Sequence, residues 1–338
     1  RKAQLMSGNP PVYDRQGLSL VDNDHQKFQK EGRLPHWRFK LIHEEVSWVD
    51  MVRGNCTYDM KSLSDPVIMR EDGRPIYTLA SVVDDIDHNI SHIIRGEDHV
   101  TNSAAQIQLF KALGGKVPEL GHLSLLAGSE GEGLSKRLGS LNLGELKQEG
   151  FESITLSSLL AKIGTSDPMK VFINTDELIK DFDLSKFSRN TAKFDSNDLY
   201  IMNKKSIQFM EFKEAKSRLT EIGLDINEEF WRTISGNLNK LNEARIWWDV
   251  VYGEIDPIID NSNLIEKAIE FFPENNLDNT SWGSWCKSIS GNTDYKGRDL
   301  FISLRKAITG FEYGPELSNL LPLIGKDKIL SRMSGKKS

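Results

Sequence analysis

Short strand-like runs alternate with helical ones only in the first part of the chain, up to about Ile154; beyond it the apolar spacing is helical. This change of texture restricts the fold more than any other feature. Strand–helix–strand alternation calls for an α/β layer with parallel pairing, and sustained helical spacing calls for helix-on-helix packing. The 338 residues have room for two or three domains. The expected order is an α/β part followed by one or two helical domains, with the boundary between Phe151 and Leu224.

In the first part, Pro66-Val67-Ile68-Met69-Arg70 and Pro75-Ile76-Tyr77-Thr78-Leu79 flank Glu71-Asp72-Gly73-Arg74. An Asp-Gly pair between apolar runs predicts a hairpin, because glycine accepts the positive φ of a tight turn. His92-Ile93-Ile94-Arg95 reads as a short buried strand. Ser103 to Leu113 reads as a helix, capped by Thr101 or Ser103 and ended at Gly114-Gly115. Leu120 to Leu126 reads as another strand, completing a parallel strand–helix–strand unit. In the later part, Phe212, Ala215, Leu219 and Ile222 share a helical face closed by Gly223. Trp231, Ile234, Leu238 and Leu241 repeat the spacing. Leu300, Phe301, Leu304, Ala307 and Ile308 do so before Gly310, and Pro273 and Gly325 also stop helices.

Composition narrows the class. A net charge of -6 speaks against a nonspecific polyanion binder, though a structured RNA can still be held by local basic patches. Cys56 and Cys286 alone can form neither a disulfide framework nor a four-cysteine zinc site, which fits a reducing cytoplasm. No run of eighteen apolar residues is present, so no membrane helix and no membrane partner are expected. Arg1 to Leu5 lacks both a signal-peptide core and an initiator Met, which reads as an internal start.

Two polar clusters could carry chemistry. Gly133-Leu134-Ser135-Lys136-Arg137 lies in a Gly-rich stretch, Gly128 to Gly139, after the strand near Leu125. Two cations on a loop at a strand's C-terminal end suit a phosphate site; a solvated basic turn is the plainer alternative. Val82-Val83-Asp84-Asp85-Ile86-Asp87-His88 and Ile94-Arg95-Gly96-Glu97-Asp98-His99 crowd Asp, Arg and His densely enough for a metal, ribose hydroxyls or an amino acid. Arg95 could grip a carboxylate bidentately. Helix capping and a structural ion pair remain open, and the histidine spacing fits no zinc pattern. Trp247-Trp248, Trp282 and Trp285 could stack on unpaired bases, but at helical spacing they read as core. There is no Walker loop, Gly-x-Ser-x-Gly elbow or His-Glu-x-x-His helix.

Asp65-Pro66-Val67-Ile68-Met69-Arg70-Glu71-Asp72-Gly73-Arg74-Pro75-Ile76-Tyr77, Val82-Val83-Asp84-Asp85 and Ile94-Arg95-Gly96-Glu97-Asp98-His99 occur in that order. Leu123-Ser124-Leu125-Leu126 and Leu134-Ser135-Lys136-Arg137 follow. Gly297-Arg298-Asp299-Leu300-Phe301, Arg305-Lys306-Ala307-Ile308-Thr309-Gly310 and Leu320-Leu321-Pro322-Leu323-Ile324-Gly325 close the set. This ordered set resembles bacterial-type glutamyl-tRNA synthetase, a class I aminoacyl-tRNA synthetase, over nearly the whole chain.

The resemblance implies a fold: an α/β class I Rossmann-like catalytic domain, incomplete here, followed by all-α stem-contact and anticodon-binding domains. It divides the chain into an acceptor-binding insertion at 1–75, the second half of the catalytic domain at 76–128, a KMSKS-type loop with stem-contact domain at 129–211, and a helical anticodon-binding domain at 212–338. It also implies an activity. ATP, with Mg²⁺ carried as part of that substrate, activates glutamate as glutamyl-adenylate, which is then transferred to tRNA-Glu. The protein is expected to be a cytoplasmic monomer without zinc.

The same resemblance assigns roles. Lys136, with Ser135 and Arg137, would steady the phosphates as pyrophosphate leaves. Tyr77, Ser81 and Arg95 would bind glutamate, Ser81 standing where the family often has asparagine. Glu97, Asp98, His99, Asp84 and Asp85 would lie by ATP or the tRNA acceptor end. Gly236, within Ser235-Gly236-Asn237-Leu238, falls where members that reject tRNA-Gln use an arginine, so tRNA-Gln would also be charged; the plainer alternative is a glycine allowing close packing. The family's N-terminal His-x-Gly-His-type signature is absent and Arg1 to Asp14 looks like the insertion. By family layout roughly a hundred preceding residues are expected to be missing. The chain as given is then expected not to form adenylate, and the competing expectation is a noncatalytic tRNA-binding fragment.

Overall fold

A helix that is apolar on every side must be covered on every side. The middle of Val100–Ala112 comes near this: Ala104, Ala105, Ile107, Leu109 and Phe110 are all buried, together with Ser103, Gln106 and Gln108. The computed structural model, which describes residue 6, residues 12–128 and residues 142–338, shows how it is covered. On one side lie Leu41, Val46, Met60 and Leu120, and on the other Val82. Full burial of Leu109 and Phe110 stabilises this arrangement by about 2–3 kcal/mol each.

The chain separates into two packing units. Unit 1 comprises Arg1–Arg137, Ile163–Pro168 and Phe182–Phe194. Its strands are β1 (Trp37–Arg38), β2 (Glu45–Asp50), β3 (Gly54–Asp59), β4 (Val67–Met69), β5 (His92–Gly96), β6 (Glu119–Leu123), β7 (Leu126–Ala127) and β8 (Ala192–Lys193). Among its described residues the α-helices are α1 (Asp22–Lys30), α2 (Tyr77–Asp87) and α3 (Val100–Ala112). Among the described residues the main sheet has the order β3-β2-β6-β5. β5 and β6 are parallel, with Arg95 opposite His122, and α3 connects them, as the sequence predicts. β2 joins β6 in parallel at Asp50 opposite Leu120, so the core runs across the 75/76 line drawn from the sequence.

Three local expectations change. The Asp72-Gly73 turn forms, with Gly73 at φ 78 and the Arg70 amide bonded to the Arg74 carbonyl. Its second arm is not a strand: Pro75 makes one bridge to Met69, and Tyr77 opens α2. β4 pairs instead with β1. The regular hairpin is β2–β3, where Trp48 stacks on Tyr58 at 5.7 Å. Neither Thr101 nor Ser103 caps α3, which starts earlier at Val100. The strand expected from Leu120 to Leu126 is split into β6 and β7, and β7 pairs with β8.

Unit 2 comprises Leu138–Lys162, Met169–Asp181 and Asp195–Ser338, and its described elements are helical. Asparagine side chains cap several of them: Asn142, Asn227 and Asn261 each accept the amide three residues on, satisfying donors that the first turn cannot. Gly223 and Gly310, at φ 79 and 77, end the helices Phe212–Glu221 and Gly297–Thr309 where the sequence places the stops. The helix with Trp231 ends at Ile234, so Leu238 and Leu241 do not continue its stripe, although both are buried. Trp231, Trp247 and Trp285 are core residues. The Trp285 indole is 1% exposed and donates to the Ala268 carbonyl at 2.9 Å. Glu152, buried in the same unit, accepts both Nη atoms of Arg218 at 2.8 and 2.9 Å.

Candidate active site

α2 carries Tyr77, Ser81 and Asp85 at successive intervals of four, so all three share one helical face while Val82 points into the core. That face meets Arg95, near the C-terminal end of β5, which is the end where open α/β sheets place ligands. The Arg95 Nη1 donates to the Tyr77 hydroxyl at 3.3 Å. Its Nη2 donates to Ser103 Oγ at 2.5 Å and to Gln106 Oε1 at 2.7 Å. Gln106 Nε2 in turn donates to Ser81 Oγ at 2.8 Å, and Ser81 donates to the Tyr77 carbonyl.

This geometry bears on the expected bidentate grip. Both two-nitrogen edges of the guanidinium, Nη1–Nη2 and Nε–Nη2, include Nη2. Both hydrogens of Nη2 are already committed to Ser103 and Gln106. The outward contact is left to Nη1, beside the 54% exposed Tyr77.

Behind Arg95 lies a buried relay that sequence reading missed. Ser103 Oγ is 2.7 Å from His122 Nε2, and His122 Nδ1 is 2.5 Å from Asp50 Oδ2. Both Asp50 and His122 side chains are 0% exposed. Burial alone would raise the Asp50 carboxyl. The bond from His122 and the amides of Arg53, Val52 and His122 outweigh burial and hold it at about 2. Burial lowers the His122 pKa, only partly offset by Asp50, and the nearby Arg95 and Arg53 lower it further. His122 is therefore neutral beside an ionised Asp50. Nδ1–H donates to Asp50, and Nε2 is an acceptor facing Ser103 and, at 3.5 Å, Arg95 Nε. The signal available in the sequence was small: Ser103 and Gln106 are polar residues three apart among the apolar residues of the helix, and His122 interrupts an apolar strand.

The other predicted residues fall as follows. Glu97, Asp98 and His99 form a single turn after β5. Glu97 is paired with Arg53 at 2.7 Å, a structural ion pair. His99 packs edge-on against the Tyr77 ring at 5.6 Å, and its Nε2 is 3.7 Å from Asp98. Asp85 is partly buried and its carboxyl is pushed up, chiefly by desolvation and against the pull of Arg95. Asp84, two turns beyond Tyr77 on the same helix, is exposed. Ser135, Lys136 and Arg137 lie outside the described residues.

In unit 2, Gly236 is exposed, and a Cβ built on it meets nothing within 4 Å. Close packing therefore does not explain this glycine. Its carbonyl accepts from Gln208 Nε2 at 3.1 Å. Among the described residues no group of three or more His, Cys, Asp or Glu side chains could hold a metal, and no helix is long and apolar enough to cross a membrane.

A parallel β5–α3–β6 unit with Arg95 near the C-terminal end of its first strand, and a helical unit later in the chain, fit a class I synthetase architecture. Comparison agrees: the profile for tRNA synthetases class I (E and Q), catalytic domain, matches residues 1–201, and that for an anticodon binding domain matches residues 259–335. Glutamate–tRNA ligase 1 of Maricaulis maris is 46% identical over 99% of this chain and 76% of its own length. Glutamate–tRNA ligase 2 of Hyphomonas neptunium is 47% identical over the same shares. The fold is also similar to a crystal structure of a glutamate tRNA ligase from Elizabethkingia meningosepticum in complex with its amino acid. There the TM-score is 0.76 at 22% identity, covering 99% of this chain and 76% of the other. The chain belongs to the glutamate–tRNA ligase family.

Proposed function

We propose that the protein attaches glutamate to tRNA-Glu through glutamyl-adenylate, releasing AMP and pyrophosphate. The observation that carries this reading is the Arg95 guanidinium, fixed from behind by Ser103 and Gln106 and left accessible at Nη1 beside the Tyr77 hydroxyl. A cation held in a fixed position beside a phenol suits the side-chain carboxylate of a small acidic amino acid. Ser81 acts at one remove, orienting Gln106. Asp85, close enough to Arg95 to feel its charge, and its neighbour Asp84 are the carboxylates beside this site.

The glutamate α-carboxylate attacks the α-phosphorus of ATP and pyrophosphate departs. The terminal ribose hydroxyl of the tRNA then attacks the mixed anhydride and AMP departs. The protein aligns the reactants and neutralises charge. Lys136, flanked by Ser135 and Arg137, steadies the phosphates, which arrive with their Mg²⁺. Asp98 and His99 face ATP or the acceptor end; Glu97 supports them through Arg53.

The four functional parts, 1–75, 76–128, 129–211 and 212–338, are assigned on the same reading, with a cytoplasmic monomer as the working form. The relatives' names support tRNA-Glu as the partner. The open surroundings of Gly236 support relaxed discrimination, so that tRNA-Gln is charged as well.

The test is pyrophosphate exchange by the full-length gene product with ATP, glutamate and tRNA-Glu. Glutamate-dependent exchange is expected, slowed strongly by Lys136→Ala with little change in tRNA binding. A folded, tRNA-binding protein with no exchange overturns the reading in favour of a noncatalytic RNA-binding module.

A further inference from the structure

Arg95 has to present one nitrogen to a substrate while its other donors are restrained, and the restraint comes from deeper in unit 1. Asp50 lies at the end of β2, where its carboxylate accepts the amides of Val52 and Arg53 and thereby shapes the turn into β3. The same carboxylate accepts the His122 amide at 3.1 Å and the His122 ring at 2.5 Å. His122 faces Ser103, and Ser103 meets Arg95 Nη2. Every link is a hydrogen bond between groups on four elements, β2, β6, α3 and β5, that meet in one core.

The direction of the protons follows from the two ends. Ionised Asp50 can only accept, so Nδ1 of His122 carries the proton. Nε2 is then an acceptor, which draws the Ser103 hydroxyl hydrogen and turns the Ser103 lone pairs toward Arg95. With His122 in the other tautomer, Nε2–H would point at Ser103. The hydroxyl hydrogen would then turn to the His99 carbonyl, 3.1 Å away, and the acceptor geometry seen by Arg95 would change.

On the reading that Arg95 holds the substrate glutamate, we propose that Asp50 and His122 are positioning residues for it. Acting through Ser103, they commit Nη2 of Arg95 to the protein and leave Nη1, beside the Tyr77 hydroxyl, as the nitrogen that meets the glutamate side-chain carboxylate. Neither touches substrate. Their effect is on how well glutamate is bound, and ATP is unaffected.

The experiment measures glutamate KM, ATP KM and kcat of the full-length gene product for four variants. Ser103→Ala cuts the relay at its last link, with little change in volume. His122→Asn keeps a donor toward Asp50 but loses the acceptor toward Ser103. His122→Gln places an amide oxygen where Nε2 was. Arg95→Ala tests the underlying reading. Losing one hydrogen bond that holds a charged group is expected to raise glutamate KM about tenfold in Ser103→Ala and His122→Asn, with ATP KM and kcat within about twofold. His122→Gln is expected to recover most of the loss. If both of those variants keep the parental glutamate KM while Arg95→Ala raises it, the positioning role is overturned and Arg95 keeps its assignment. If Arg95→Ala itself leaves glutamate KM unchanged, the reading of the site falls and the inference with it. If glutamate and ATP KM rise together with a lowered melting temperature, and His122→Gln does not help, the relay is only structural and the proposal is wrong. Should His122→Asn fail to fold, Ser103→Ala decides alone.

Discussion

Asp50→Asn tests the buried relay as a stabilising device. The Asp50 carboxyl is held at about 2, against an ordinary 3.8, although it is 2% exposed and burial alone would raise it. That difference corresponds to roughly 2 kcal/mol favouring the folded, ionised state at neutral pH. The sign follows from proton counts. The folded carboxyl binds protons less readily than the unfolded one, so its contribution is complete above 3.8 and is lost as pH falls toward about 2. His122, whose pKa is lowered by burial first and by Arg95 and Arg53, works in the same direction. Its contribution is present above its ordinary 6.5 and fades on acidification.

Asparagine keeps an acceptor for the backbone amides but cannot be ionised. Its amide group faces the His122 Nδ1–H and forces the other tautomer. The assay is native-state hydrogen exchange at the amides of Val52, Arg53 and His122, all of which Asp50 accepts. At pH 7 the variant is expected to open roughly 2 kcal/mol more easily than the parent, with the deficit shrinking as the pH falls from about 5 toward 2. A deficit that stays constant across that range would mean that the charge on Asp50 contributes nothing, and would refute the reasoning.

Other predictions follow from the same geometry. Trp285→Ala removes a fully buried ring packed against Phe272 and Trp282, and should destabilise unit 2 by about 3–5 kcal/mol in urea unfolding; Trp285→Phe, losing mainly the bond to Ala268, should cost about 1–2. Gly236→Arg meets open space, so its stability should stay within about 0.5 kcal/mol of the parent; its tRNA-Gln charging should fall relative to tRNA-Glu, and unchanged charging of both would remove Gly236 from the discrimination. Burial pushes the Cys286 thiol up to about 12, so a maleimide at pH 8 should label only the partly exposed Cys56 in the folded protein, with mass spectrometry locating the adduct.

The parallel β5–α3–β6 unit was legible because glycines punctuate it and its apolar runs are short and continuous. Gly73, Gly223 and Gly310 were readable for the same reason: each does what only a residue tolerant of positive φ does well. The second arm of the early hairpin was misread because Pro75-Ile76-Tyr77 looks extended over three residues. The deciding signal, Leu79, Val82 and Ile86 at helical spacing, came later. The β2–β3 hairpin was missed because its buried face ends in Asp50, a charge where the alternation calls for an apolar residue.

The site divides the same way. Arg95, Tyr77 and Ser81 stood out through their family resemblance, and the structure brings them together. Asp50, His122, Ser103 and Gln106 did not stand out. A buried polar residue is recognisable only by its partner, and Asp50 and His122 are 72 positions apart. Glu97 was visible as a charge, but not as the partner of Arg53, 44 positions away. Nor could the sequence show that Nη2 of Arg95 meets Ser103 and Gln106.

The central claim is that Arg95, restrained from behind and open at Nη1, receives the side-chain carboxylate of glutamate. A titration of the ¹⁵N-arginine-labelled protein, followed in the Arg95 guanidinium signals, tests this most directly. The account predicts saturable shifts with L-glutamate that L-glutamine does not reproduce, larger at Nη1 than at Nη2. Binding of glutamate that leaves the Arg95 signals unmoved would contradict it.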